Sequence, residues 1–125
     1  MNGSKHFSPG ELACKCGCGT GEMDSDFLEF LEVIRCKFGK PMVVSSAYRC
    51  ADYNDEVSST GRNGPHTTGK AIDIRCYGPD TLELFEALPV GLKGLGIKQT
   101  GPYAERFIHI DTLNNPNRPW CWGYA

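Results

Sequence analysis

Apolar residues between positions 24 and 38 recur at helical spacing. Phe27, Leu31, Ile34 and Phe38 are separated by four, three and four positions, which makes one stripe of an amphipathic helix. Asp24 offers the short carboxylate that caps a first turn, and Gly39 and Pro41 end the run. The pattern then changes to the alternation and β-branching of strands. Strands are predicted over 41–46, 70–76, 94–98 and 106–112. Between them the sequence predicts one or two helical turns over 51–57 and a loop over 58–65. A short helix is predicted from Asp80 or Thr81 to Leu88, with Leu82, Phe85 and Leu88 facing inward. Residues 7–12 read as an arm with a short helical turn, and the glycine-rich segment ending near Gly21 reads as a packed loop. The tail, rich in Asn, Pro and Trp, is predicted to pack back across the sheet.

Two of these strands carry the most informative alternation. In the second, Ile72 and Ile74 share one face while Ala71, Asp73 and Arg75 share the other. In the last, Ile108 and Ile110 share one face while Phe107, His109 and Asp111 share the other. Each strand commits its isoleucines to a core and turns a ligand-capable side chain the opposite way. If the two strands lie close in one sheet, Asp73 and His109 converge. His66, in the loop leading into the second strand, folds back to the same point through a turn at Gly69. Two histidines and a carboxylate leave one tetrahedral position open, as in a catalytic rather than a structural zinc site. Taken singly, each residue has a plainer reading: His66 capping loop backbone, Asp73 facing solvent, His109 half-buried and satisfied. Only three histidines exist, and two of them fall in these matching contexts.

Composition bounds the remaining choices. A chain of 125 residues is predicted to be a single domain, residues 1–125, and its 15 glycines and 8 prolines imply short elements joined by loops, not a helical bundle. The net charge of -2 supplies no cationic field for nucleic acid or an anionic membrane. No apolar run approaches the roughly 20 residues needed to span a bilayer, so no membrane insertion is expected. The polar opening residues lack the apolar stretch of a signal peptide, which predicts a chain held in a reducing cytoplasm until it is released. The seven cysteines are Cys14, Cys16, Cys18, Cys36, Cys50, Cys76 and Cys121. The Cys-x-Cys-x-Cys spacing of the first three suits neither an even disulfide framework nor paired Cys-x-x-Cys knuckles. Buried or free thiols are the favoured expectation, with disulfides formed after release and a second metal site as alternatives.

A longer order of residues resembles a known family. It comprises Ser45-Ser46-Ala47-Tyr48-Arg49-Cys50, then Asn54, then Gly64-Pro65-His66-Thr67-Thr68-Gly69-Lys70-Ala71-Ile72-Asp73-Ile74, then Gly94-Leu95-Gly96-Ile97 and Phe107-Ile108-His109-Ile110-Asp111. The family is that of the zinc D-alanyl-D-alanine carboxypeptidases and L-alanyl-D-glutamate endopeptidases of peptidoglycan, and the small phage-type branch is the most similar. The resemblance runs from about Phe7 to the C terminus and includes the seven-residue step from His66 to Asp73. Gly64 departs from it, standing where the family usually carries Ser, with the effect expected on the loop more than on the metal.

The resemblance implies an α+β fold of the hedgehog/DD-peptidase type, a small antiparallel sheet with helices packed on one side. It implies one zinc ion held by His66, Asp73 and His109, and a substrate-holding role for Arg49 through charge-assisted hydrogen bonds. The implied activity is hydrolysis of peptidoglycan stem peptides at the cell wall, as carboxypeptidase or endopeptidase, by a chain expected to be a monomer. Family members place the general base three or five residues before the last histidine, where this chain has Arg106 and Ala104. Neither accepts a proton. Glu105 is the first candidate, sharing the face of Phe107 and His109 if the strand already runs there. Asp111 is the second, as base or as the partner that orients an imidazole. Tyr48, Tyr103, Trp120 and Trp122 are candidates to line a cleft. Two other classes compete: a zinc-containing cell-wall binding module without turnover, and a phage structural protein that holds a partner with the loop of residues 14–18.

Overall fold

The stripe over residues 24–38 forms the longest helix, α2 (Ser25–Phe38), and its caps are those the sequence signals. The Asp24 carboxylate accepts the Phe27 N–H at 3.0 Å, and Gly39 takes a left-handed conformation that returns its own N–H to the Arg35 carbonyl. The computed structural model describes residues 2–125. Ahead of α2 lies a one-turn helix, α1 (Pro9–Leu12), closed by reciprocal hydrogen bonds between Ser8 and Glu11. The N-terminal arm is pinned to α2 by Glu32, which accepts from Ser4 Oγ at 2.5 Å and from the His6 N–H at 2.8 Å. Beyond α2 come β1 (Val43–Ser46), α3 (Ala51–Val57), two 3-10 turns (Gly61–Asn63 and Pro65–Thr68) and β2 (Ala71–Arg75). Then follow α4 (Pro79–Ala87), β3 (Gly94–Lys98), a third 3-10 turn (Tyr103–Glu105), β4 (Phe107–Asp111) and β5 (Trp120–Gly123).

The five strands form one sheet in the order β1-β2-β4-β3-β5. The first four pair antiparallel, and β5 joins β3 in parallel. The tail therefore extends the sheet at its edge instead of crossing it. Without β5, the outer edge of β3 would present unpaired backbone groups to solvent. Trp120 N–H donates to the Lys93 carbonyl at 2.9 Å and Tyr124 N–H to the Ile97 carbonyl at 3.0 Å, so the tail is held at both ends.

The core confirms the alternation. Ile72, Ile74, Ile108 and Ile110 are buried with Phe27, Leu28, Leu31 and Ile34 of α2 and with Leu84 and Ala87 of α4. Burying each of the Ile, Leu and Phe side chains is worth about 1.5–3 kcal/mol, and together they settle which face of the sheet turns inward. The fold is thus α+β, as expected. Helix α4 departs from the expected register. It starts at Pro79 after Gly78, without a side-chain cap, and buries Thr81, Leu84 and Ala87, while Leu82 is 64% exposed. The reason is a polar residue in a core-facing place: the Thr81 hydroxyl donates to Gln99 Oε1 at 3.1 Å and also meets the Cys76 sulfur. Phe85 and Leu88 only pack against the rim of the core. Among the described residues, no helix is long and apolar enough to cross a membrane.

Gly69 joins the start of α2 to the strand that follows it. Its φ is +75°, its carbonyl accepts the Asp24 N–H at 2.9 Å, and a Cβ there would sit 2.7 Å from the Glu22 carbonyl oxygen. Gly69→Ala is expected to cost about 1–3 kcal/mol of stability in urea unfolding, through left-handed strain and this backbone clash. Gly10→Ala, in α1 with open space around it, should leave the midpoint unchanged or slightly raised. Equal midpoints for the two variants would overturn the account of this turn.

Candidate metal centre

Across β2 and β4, Asp73 stands directly opposite His109. Ser46 of β1 lies on one side of this pair, and Gly96 of β3 followed by Trp122 of β5 on the other. The row crosses the sheet on the face opposite the isoleucines, as strand alternation requires. The turn Pro65–Thr68 brings His66 to the same place. Its carbonyl accepts the Arg49 N–H at 3.0 Å, and its Nδ1–H donates to the Ala47 carbonyl at 2.7 Å. That bond fixes the tautomer and leaves Nε2 pointing at Asp73 Oδ1, 3.3 Å away. His109 is turned the other way. Its Nε2–H donates to Asp111 Oδ2 at 2.7 Å, and its Nδ1 lies 2.9 Å from Asp73 Oδ1.

The ligand atoms of His66, Asp73 and His109 all lie within 4.8 Å of one another. Tetrahedral zinc, with nitrogen and oxygen ligands at about 2.0–2.2 Å, spaces its donors roughly 3.3–3.6 Å apart. The observed separations therefore need only small side-chain adjustments to accept such an ion. The charge balance also fits. Burial pushes the Asp73 carboxyl up, but hydrogen bonds from His109 and His66 outweigh it and hold it below the usual carboxylate range. Burial pushes His109 down, but Asp111 and Asp73 outweigh that and raise it. Two carboxylates thus surround a site that favours positive charge, which a divalent cation supplies in place of a proton.

Asp111 is completely buried. Burial pushes its carboxyl up, but His109 and then Arg118 bring it below the ordinary value. Arg118 grips both carboxylate oxygens, with Nη2 at 2.9 Å from Oδ2 and Nε at 3.1 Å from Oδ1. Gly94, opposite Asp111 in β3, makes this possible: a Cβ there would lie 2.3 Å from Oδ2. Asp111 thus engages one side of the His109 ring and is itself held by Arg118. Sequence reasoning missed Arg118. Its only sequence signal is a cation in an otherwise aromatic and proline-rich tail, and it stacks 4.8 Å over Trp122.

Arg49 lies beside this trio of candidate ligands. Its Nε donates to Ser46 Oγ and its Nη1 to Asn54 Oδ1, both at 3.0 Å, while Nη2 lies 3.7 Å from Asp73 Oδ2. Asn54 is itself fully buried and donates to Thr60 Oγ1 at 2.9 Å, so the guanidinium is held from behind. Gly64, where the family resemblance breaks, abuts the side chains of Thr60 and Asn54, on the Arg49 side of the site. A cavity of about 520 Å³ opens over His66, Asp73 and His109 and is walled by Arg49, Phe107, Arg118, Trp120, Trp122 and Tyr124. Tyr124 was not anticipated. Tyr48 packs against the core, and Tyr103 stacks on Tyr77 with ring centres 4.4 Å apart, so neither lines the cavity.

Glu105 ends the turn Tyr103–Glu105, two residues before β4 begins, and its side chain is exposed. Strand alternation therefore does not reach it, and it is not part of the cavity wall. Among the described residues, Asp73 is the only carboxylate in that wall. Asp111→Asn is expected to weaken divalent-metal affinity about 10–100-fold, measured by competition with a chelator. Unchanged affinity would show that Asp111 does not control His109.

A family model described as Peptidase M15 matches residues 5–111. The match takes in all three ligand candidates, Arg49, Glu105 and Asp111, and ends before Arg118 and β5. A comparison with curated proteins finds no match. With the match spanning most of its length, this chain belongs to the Peptidase M15 family of peptidases, as the resemblance of its motifs implied.

Proposed function

We propose that this chain hydrolyses peptide bonds in peptidoglycan stem peptides, using one zinc ion held by His66 Nε2, Asp73 and His109 Nδ1. One observation carries the reading. His66 and His109, each aimed by a hydrogen bond on its far side, meet Asp73 at the floor of a cavity whose wall includes Arg49. When bound, zinc supplies Lewis acidity, polarising a carbonyl and making a water more acidic. The protein's own groups do the rest. The Ala47 carbonyl and Asp111 each engage the outer nitrogen of an imidazole, so that a metal displacing the inner proton would meet a lone pair on each ring. Arg49, anchored through Ser46 and Asn54, turns its remaining edge toward Asp73 and the cavity, where it can hold a substrate carboxylate or a developing oxyanion. Arg118 serves Asp111 instead, since both of its carboxylate-facing nitrogens are engaged there. Burial pushes the Tyr124 phenol up, so it stays protonated near neutrality and can donate into the cavity. Trp120, Trp122 and Phe107 give the apolar walls that exclude water from a bound peptide.

Neither candidate proton acceptor, Glu105 or Asp111, lines the cavity. Glu105 would serve only if its turn moved into the cavity, and Asp111 only by releasing His109 and Arg118. This favours a second reading, a metal-holding domain that binds cell-wall peptide with little turnover. Digesting purified peptidoglycan with the zinc-loaded chain and analysing the fragments by mass spectrometry separates the two. Hydrolysis predicts new amine ends on stem peptides that vanish with a chelator and return with zinc. Fully metal-loaded protein that makes no new ends would leave the binding reading.

Within the hydrolytic reading, Arg49→Lys should lower kcat/KM by about 10–100-fold, because a lost charge-assisted pair is worth about 1.5–3 kcal/mol. His66→Ala should abolish metal binding at this site. Glu105→Gln should keep near-normal activity if its exposed position persists during turnover, whereas a large fall in kcat would identify it as the base.

A further inference from the structure

Four of the seven cysteines come together outside the site described so far. The sulfurs of Cys14, Cys16, Cys18 and Cys50 all lie within 4.8 Å of one another. Cys14 Sγ is 3.4 Å from Cys16 Sγ, and Cys16 Sγ is 3.7 Å from Cys50 Sγ. A disulfide needs about 2.05 Å. A zinc ion with four thiolates at about 2.3 Å spaces its sulfurs roughly 3.8 Å apart. Both of these separations lie far from the first value and near the second, and all the others stay within 4.8 Å.

The backbone builds this cluster. Cys14 N–H donates to the Thr20 carbonyl at 2.8 Å, closing the loop on itself. Gly17, at φ +86°, reverses the chain between Cys16 and Cys18, and Gly19, at φ +82°, turns it again just after Cys18. That reversal turns a Cys-x-Cys-x-Cys run, which lacks the usual knuckle spacing, into three convergent sulfurs. Donors then point at sulfur. Cys50 N–H reaches Cys14 Sγ at 3.3 Å, Tyr53 N–H reaches Cys50 Sγ at 3.4 Å, and the Thr20 hydroxyl lies 2.9 Å from Cys18 Sγ. Such bonds stabilise thiolate over thiol and orient metal ligands. Packing does not explain the cluster, because Cys16 and Cys18 are exposed.

We propose that Cys14, Cys16, Cys18 and Cys50 form a second metal site, a closed tetrathiolate that holds a structural zinc ion. It shares no ligand with the His66, Asp73 and His109 set and leaves no open position, so its role is to staple and not to catalyse. It ties the loop after α1 to the residue next to Arg49. Beside it the Tyr48 N–H already meets the Leu12 carbonyl at 3.1 Å. The ion locks the segment that aims Arg49 and begins α3, which carries Asn54.

The test uses the full chain, expressed with zinc and purified under reducing conditions. Elemental analysis should find two zinc ions per chain, falling to one in His66→Ala and to one in the Cys16→Ser/Cys50→Ser double variant. Cobalt substitution identifies the sulfur site directly. His66→Ala loaded with cobalt should keep a thiolate-to-metal charge-transfer band in the near ultraviolet, and the double cysteine variant should lose it. One metal per chain that survives the cysteine changes, a cobalt spectrum of His66→Ala without that band, or an intact mass short of two hydrogens from a disulfide within the cluster would each overturn the proposal. If the cysteine variant fails to fold, the cobalt spectrum of His66→Ala decides alone. Inactivity toward peptidoglycan leaves that spectrum untouched, so the two proposals fail separately.

Discussion

The register in which β2 meets β4 is the constraint on which the rest of the candidate centre depends. It sets Asp73 against His109 and, two positions along, Ala71 against Asp111. A slip of one residue would turn every side chain of β2 to the opposite face, putting Asp73 into the core and Ile72 and Ile74 into water. The four isoleucines of the two strands, sealed under α2 and α4, forbid that slip. Apolar packing on one face therefore holds the ligand geometry on the other. The metal would not have to organise its own site, because the core has already done so.

Organising these ligands without a metal requires a charge arrangement that is stable by itself. Isolated buried carboxylates cost several kcal/mol each. Here Asp73 is bracketed by two histidines and Arg49, and Asp111 by His109 and Arg118. No buried side-chain nitrogen or oxygen among the described residues lacks a partner. Each charged group thereby fixes the next: Arg118 holds Asp111, Asp111 turns His109, and His109 faces Asp73. The missing Cβ of Gly94 leaves room for the Asp111 carboxylate, so this chain of contacts can run across the face of the sheet. The apparatus reaches beyond the ligands into the tail, since both Arg118 and the walls formed by Trp122 and Tyr124 come from the C-terminal segment that adds β5 to the sheet.

On the other side of the site, Arg49 stands at a junction. Its backbone N–H holds the His66 carbonyl, its side chain leans on Ser46 and Asn54, and its neighbour Cys50 belongs to the sulfur cluster. A staple through those sulfurs and a metal between the histidines would act on one short segment from two directions. Rigid support of this kind would suit the substrate-holding role proposed for Arg49.

Much of this was legible in the chain because it is local. A period of two in β2 and β4 assigned Asp73 and His109 to one face and their isoleucines to the other. A period near 3.6, with Asp24 and Gly39 at its ends, defined α2. The motif order around Arg49, His66 and His109 named the family. What stayed hidden depends on which distant segments meet. Thr81 faces the core because Gln99 and Cys76 wait there, and no apolar count along α4 reveals them. Glu105 falls outside the strand because β4 begins at Phe107, so alternation could not carry it to the ligands. Arg118 and Tyr124 reach the cavity only because the tail pairs with β3. Cys50 meets the loop of residues 14–18 only after α1 and the end of β1 pack together. Backbone geometry writes the faces of single elements into the sequence, whereas the meeting of those elements is decided by burial and pairing between segments that no local pattern links.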